Sequence, residues 1–182
     1  MLNLGTERIE TPRLLLRPFV LEDAPAVYRN WASDPDVTRY LTWPTHTSPE
    51  ISAMVVEIWV NAYPQNDFYQ WAIVPKKLGE PIGSISVVRQ ERDTFEIGYC
   101  IGKKWWRKGI TSEALAAVRD FLFDRVGVRR IEAGHDVNNP GSGAVMKKSG
   151  LRFVGIVPQS GQNNQGVCDM AQYALNAEER NQ

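Results

Sequence analysis

The stretch TFEIGYCIGKKWWRKGITSEALAAV, Thr94 to Val118, sets the architecture of the chain. Its opening residues alternate. Phe95, Ile97, Tyr99 and Ile101 take one face of a strand, and Glu96, Gly98 and Cys100 take the other. A short basic segment with one glycine follows. Then Ala114, Leu115, Ala117, Val118, Phe121 and Leu122 recur at helical spacing. Strand, tight loop and helix in that order place the first turn of a helix at the end of a strand. The amides of that turn have no partner inside the helix, and with the helix dipole they form a seat for an anion. Gly109 lets an anion approach the backbone closely, and Arg107 and Lys108 add charge around it. A solvated basic turn with Trp105 and Trp106 packed in the core fits the same residues, and this stretch alone does not choose between the two.

Working outward, FYQWAIV (68–74) and PIGSISVV (81–88) precede the strand, separated from each other and from it by KKLGE and RQERD. These read as an antiparallel meander. Before them, RLLLRPF (13–19) suits a strand, and LEDAPAVYRNWAS places Ala24, Val27, Tyr28 and Trp31 at helical spacing, with Pro25 in a first turn. Thr47-Ser48-Pro49-Glu50 opens a second helix, whose one face carries Ile51, Met54, Val55, Ile58 and Ala62. On the other side, RRIEAGHDV predicts a fifth strand. Ser142 to Ser149 predicts a short helix closed by Gly150. RFVGIV and VCDMAQYAL predict a closing strand pair around the polar loop QSGQNNQG. The order β-α-α-β-β-β-α-β-α-β-β implies an α/β (α+β) fold, a mixed and mostly antiparallel central sheet flanked by helices. No repeat, low-complexity segment or linker divides the chain, so a single domain over 1–182 is expected.

Composition narrows the function classes. Lys plus Arg and Asp plus Glu both number 21, so no overall field recruits nucleic acid or an acidic membrane. Cys100 and Cys168 lie far apart in the sequence and form no CxxC pair, which argues against a zinc site or a disulfide framework. His46 has no partner pattern for a metal, and none is expected. MLNLGTERIETPR lacks the apolar core of a signal peptide and no run reaches membrane-spanning length, so a soluble cytoplasmic protein is expected.

A second stretch, HDVNNPGSGAVMKKSGLRF, places a turn at Asn138 to Gly141 and a natural cap at Ser142 before the next helix. Taken alone it is loop-and-cap chemistry. Taken with WRKGIT, it resembles the acetyl-CoA-binding core of the GNAT superfamily of N-acetyltransferases. Trp106 to Thr111 fill the family's Q/R-x-x-G-x-G/A loop, with the Thr/Ser-Glu-Ala continuation of the ribosomal-protein N-terminal acetyltransferase subgroup. Asn139, Ser142, Lys148, Gly150 and Leu151 meet its N-x-x-S and Lys-x-Gly-Phe pattern. ETPRLLLRPFVLEDAPAVY and VCDMAQYAL resemble that subgroup's first strand-helix unit and last strand. Two positions depart. Thr111 stands where Gly or Ala is usual, and Met146 stands where many members carry a tyrosine that protonates the leaving thiolate.

The resemblance implies an acetyl-CoA pyrophosphate on the backbone of Arg107, Lys108, Gly109, Ile110 and Thr111. It implies an acetyl carbonyl on the N–H near Ile101, where the fourth and fifth strands splay. Asn139 is expected on the pantetheine arm, and Ser142 both as helix cap and as proton donor to the thiolate. Glu96, on the strand face shared with Gly98, is the candidate base, directly or through water; a strand glutamate paired with a cation fits it as well. Cys100 lacks a base partner and reads as a buried strand thiol. Tyr40 and Trp43 read as core or as the wall of an acceptor cleft. The acceptor stays open between a protein N-terminal amine and a small-molecule amine. A CoA-binding module without turnover, and more distantly a nucleic-acid binder, also stay open. The family makes a homodimer plausible.

Overall fold

The computed structural model describes residues 1–180. Eight strands form one sheet: β1 (Ile9–Glu10), β2 (Leu14–Arg17), β3 (Gln70–Pro75), β4 (Gly83–Glu91), β5 (Thr94–Ile101), β6 (Arg130–Asp136), β7 (Arg152–Asn163) and β8 (Gly166–Asn176). Their order across the sheet is β1-β2-β3-β4-β5-β6-β8-β7, and every pair is antiparallel except β5 with β6. The helices are α1 (Ala24–Val27), α2 (Pro35–Thr38), α3 (Pro49–Ala62), α4 (Ile110–Phe121) and α5 (Pro140–Lys148).

Alternation along the strands divides the core into two layers. Trp71, Ile73, Ile85, Phe95 and Ile97 pack with Ala114, Leu115, Val118 and Phe121 of α4 on one face. Ala72 and Val74 of the same strand β3 turn to the other face, against Val27, Trp31 and Val56. Five buried residues of α4 and its continuation (Ala114, Leu115, Val118, Phe121 and Leu122) match the face predicted from its periodicity, with Ala117 partly buried at its edge. The meander and the strand Thr94–Ile101 also lie where their alternation puts them.

Two expectations fail. In α3 the predicted face is not the buried one: Met54 is 56% and Ile58 65% exposed, and Ile51, Val55 and Ala62 are half-buried. The buried face is Ser52 and Val56, with Trp59 tilted against Phe19 at 4.7 Å between ring centroids and Tyr63 donating to Gln70 O. Aromatic rings with polar tips and a serine bound to His46 at 2.7 Å make this contact, so the most aliphatic stripe is not the buried one. The closing pair also differs. QSGQNNQG is no loop but the continuation of β7 and β8, which pair out to Asn163 and Gly166. The short turn is held against the α2 end of the molecule by Asn164, whose amide group donates to Thr38 O and Trp43 O at 2.8 Å.

Candidate active site

The parallel ladder between β5 and β6 is short. It joins Thr94, Phe95 and Glu96 to Arg130, Ile131 and Glu132, and then the strands part. Gly102 N–H donates to Ile82 O at 2.9 Å, and Cys100 faces Ser84 across β4. Antiparallel bonding alternates along a strand, so the amides of Tyr99 and Ile101 point away from β4, into the gap where β6 has left. A cavity of about 550 Å³ occupies that gap, with Tyr99, Cys100 and Ile101 along its floor.

One wall is the first turn of α4, with Arg107, Gly109 and Thr111. Arg107 and Gly109 both have left-handed backbones, φ 59° and 71°, which fold the loop back so that the helix amides open onto the cavity. The second position favours glycine for its backbone, since a Cβ there would meet only the ends of Lys148 and Arg13 at 3.4 and 3.6 Å. Arg13 braces the turn from behind: it donates to Lys108 O at 3.0 Å and pairs with Glu113 at 2.6 Å. Burial pushes the Glu113 carboxyl up, but hydrogen bonds from Thr11 and Arg13 outweigh it and hold it below its usual value. A charged carboxylate in the first turn of α4 opposes the helix dipole favourably. Lys108 therefore offers its backbone here while its side chain is exposed, and Ile110 is buried in the core. Neither side chain lines the cavity. Trp106 donates to Ile101 O at 2.9 Å and is 41% exposed, so it closes the loop over β5 instead of entering the core.

The opposite wall is α5, with Asn139, Ser142 and Lys148. The predicted cap is corrected here. The helix starts at Pro140 with Asn139 in the capping position, and Ser142 lies inside its first turn. The Ser142 hydroxyl does not cap; it meets the Tyr99 hydroxyl at 2.9 Å. Lys148 brings a cation close to Gly109: its Nζ stands 3.4 Å from where a Cβ at that glycine would be. Val37, Tyr40 and Leu41 form the third side, while Trp43 packs with the second core layer. Met146 is buried in the core.

Glu96 does not join Ser142 and Ile101. It sits where the ladder ends, its Oε2 accepting from Arg89 at 2.9 Å, and it borders a separate cavity of about 590 Å³ with Arg89, Arg130 and Glu132. Cys100 contacts Ser84 at 3.4 Å, and burial pushes its thiol up, in agreement with a passive strand cysteine. His135 lies off the cavity. Its Nδ1 contacts Asp136 O at 2.7 Å, and its Nε2 is buried without a partner among the described residues. A Cβ at Gly143 would stand 2.5 Å from that nitrogen, so only glycine lets α5 pack on the ring. Among the described residues no group of three or more His, Cys, Asp or Glu side chains could hold a metal, and no helix is long and apolar enough to cross a membrane.

Sequence reasoning missed Tyr99 and Lys148 as site residues. Alternation assigned Tyr99 to the apolar face of β5, which is correct, but gave no sign that β6 would leave that end uncovered. The Lys148 signal was present in the Lys-Ser-Gly-Leu ending and was read only as a motif position.

Residues 13–152 match the model of the acetyltransferase (GNAT) domain. The uncharacterized N-acetyltransferase p20 of Bacillus licheniformis is 28% identical over 171 residues, covering 93% of this chain and 96% of that protein. A GNAT-family acetyltransferase of Bacillus anthracis has a similar structure, with a TM-score of 0.84 and 26% identity over 95% of this chain and all of that one. The fold is also that of RimL, a ribosomal L7/L12 alpha-N-protein acetyltransferase solved with coenzyme A, with a TM-score of 0.83 and 23% identity over 93% and 98% of the two chains. The chain belongs to the GNAT family and is an acetyl-CoA-dependent N-acetyltransferase.

Proposed function

We propose that this enzyme acetylates the N-terminal α-amine of a polypeptide, by direct attack of the amine on acetyl-CoA in a ternary complex. The observation that carries the choice of acceptor is that, among the described residues, no Asp, Glu or His lines the cavity at the open end of β5. An acceptor there must arrive neutral or nearly so. A protein α-amine, with a pKa of about 8, meets that condition at neutral pH far better than a lysine amine at about 10.4. A polyamine would likewise find no carboxylate to hold its charge. The similar fold of RimL, named for an α-N-protein acetyltransferase, points the same way.

In this reading the pyrophosphate rests on the amides of Arg107 to Thr111, with Arg107 and Lys148 beside it and Asn139 on the pantetheine arm. Ile101 N–H donates to the thioester oxygen and strengthens its hold as that oxygen becomes an oxyanion. The amine enters past Tyr40 and Leu41 and forms the C–N bond. The C–S bond then breaks, sulfur leaves with the electron pair, and Ser142 supplies its proton. Glu96 assists only through a chain of waters, because it lies five residues before Ile101, about 16 Å along the strand, beyond the reach of one bridging water. Its Oε1 has no hydrogen-bond partner among the described residues and can hold the first water of that chain. Cys100 forms no acyl-enzyme, since its thiol is turned to Ser84 and disfavours ionisation.

Incubating a proteome with the enzyme and isotope-labelled acetyl-CoA, followed by mass spectrometry, tests the acceptor. Label on protein N-termini is expected. Label confined to lysine side chains or small amines would overturn the proposal.

A further inference from the structure

The wall at the sulfur end holds a half-buried hydroxyl pair that the mechanism above uses only in half. Tyr99 Oη lies 2.9 Å from both Ser142 Oγ and Ser142 O. We propose that Tyr99 is a positioning residue for proton delivery: it holds the Ser142 hydroxyl in place and hands it a compensating hydrogen bond as Ser142 protonates the departing thiolate. This rests on the reading of Ser142 as the group that meets the sulfur.

The number of hydrogens sets the arrangement. A phenol has one hydrogen to give. With no charge nearby, Tyr99 donates to Ser142 O, and Ser142 Oγ–H donates back to Tyr99 Oη; both contacts are then satisfied. When negative charge develops on sulfur, Ser142 turns its hydrogen toward it. Tyr99 then swings its own hydrogen from the carbonyl to Ser142 Oγ, which is equally distant. Only hydrogens move. Heavy atoms already in place mean that little reorganisation opposes the step.

The proton balance closes without an outside acid. The acceptor nitrogen forms the new C–N bond and becomes positively charged in the tetrahedral adduct. The C–S bond breaks and sulfur takes the electron pair together with the Ser142 proton. Ser142 Oγ recovers a proton from the acceptor nitrogen. Between those two transfers the serine oxygen carries negative character, and a hydrogen bond from Tyr99 lowers its cost. Tyr99 itself stays protonated throughout, because burial holds its phenol far above the usual range.

The fold explains why a strand tyrosine does this. Tyr99 follows the point where β6 departs, so its side chain is covered by the first turn of α5 instead of a neighbouring strand. On α5 itself Met146 is buried in the core, and the Ser149 hydroxyl is committed to Ser112 O and Val145 O. The hydroxyl in contact with Ser142 therefore comes from β5.

The test is a double-mutant cycle on purified enzyme, with kcat, acetyl-CoA affinity and thermal unfolding measured for Tyr99→Phe, Ser142→Ala and the pair. Tyr99→Phe is expected to lower kcat about tenfold, or about 1.4 kcal/mol, with acetyl-CoA affinity within twofold. In the Ser142→Ala background the same change should cost nothing further, because its effect passes through the missing hydroxyl. Full kcat in Tyr99→Phe, or the same loss with and without Ser142, would overturn the role of Tyr99. Full activity in Ser142→Ala would instead remove the reading on which it rests. If Tyr99→Phe does not fold, 3-fluorotyrosine at position 99 keeps the ring and gives a stronger donor. Its kcat should equal or exceed that of the natural enzyme, and a tenfold fall would contradict the proposal.

Discussion

The two ends of β5 are built from one run of sequence and do opposite work. From Thr94 to Glu96 the strand is hydrogen-bonded on both edges, to β4 and to β6, and its charged floor is knitted by Arg89 to Glu91, Glu96 and Glu132. From Tyr99 to Ile101 only the β4 edge is paired, and the other edge opens onto the cavity. One end completes its ladder and is structural. The other leaves its amides facing the cavity, and in the proposed mechanism a ligand carbonyl completes what β6 does not.

That contrast can be broken at the open end first. Ser142→Ala should lower kcat on the order of a hundredfold while acetyl-CoA affinity holds, the size usual for a lost proton-transfer group. Raising the pH should not restore it, since a missing proton donor is not replaced by a scarcer proton; recovery at high pH would assign Ser142 elsewhere. Gly109→Val should weaken acetyl-CoA by more than tenfold, or about 1.4 kcal/mol, because a β-branched residue opposes the left-handed backbone at φ 71° and fills the approach beside Lys148. Calorimetric titration with CoA reads this directly, and unchanged affinity would remove the turn from the site.

At the closed end the effects shrink. Glu96→Gln should lower kcat roughly tenfold, short of the loss for a base in direct contact, and the deficit should narrow toward pH 8 as an α-amine acceptor becomes neutral unaided. Arg89→Ala should leave acetyl-CoA affinity unchanged and reduce stability by about 1 kcal/mol or less, since its ion pairs are half-exposed. A large loss of CoA binding in either variant would erase the distinction between the two ends. The smallest effect concerns His46, beneath the segment that faces the open end. Burial holds its pKa below the ordinary 6.5, so the unfolded chain takes up a proton first as pH falls. Stability is therefore complete above about 6.5 and declines on the acid side until the folded value is passed. His46→Asn should flatten that acid decline in a series of thermal unfolding curves.

How much of this was legible depended on whether a feature is local. The β5 alternation, the α4 face and the helix end at Gly150 follow from neighbouring residues, and each stands where the sequence placed it. Non-local features were hidden. Within TFEIGYCI itself nothing announces that β6 pairs with its first residues only; the parting of the two strands near Ile101 was implied by the family resemblance alone, because it depends on how two strands diverge around α5. The buried face of α3 was misread because Trp59 and Tyr63, partnered by Phe19 and Gln70, outweigh a more aliphatic stripe. The hairpin tip was taken for a loop because its polar residues find partners on α2 and the segment after it, far away in sequence. Ser142 looked like a cap because serine before a helix is one; its hydroxyl found Tyr99 instead.

The most direct test of the open end is a crystal structure with a non-reactive acetyl-CoA analogue. The account predicts the pyrophosphate on the amides of Arg107 to Thr111 and the acyl oxygen within about 3 Å of Ile101 N, with the bridging atom in place of sulfur facing Ser142. Phosphates away from the first turn of α4, or an acyl group held without Ile101, would contradict it.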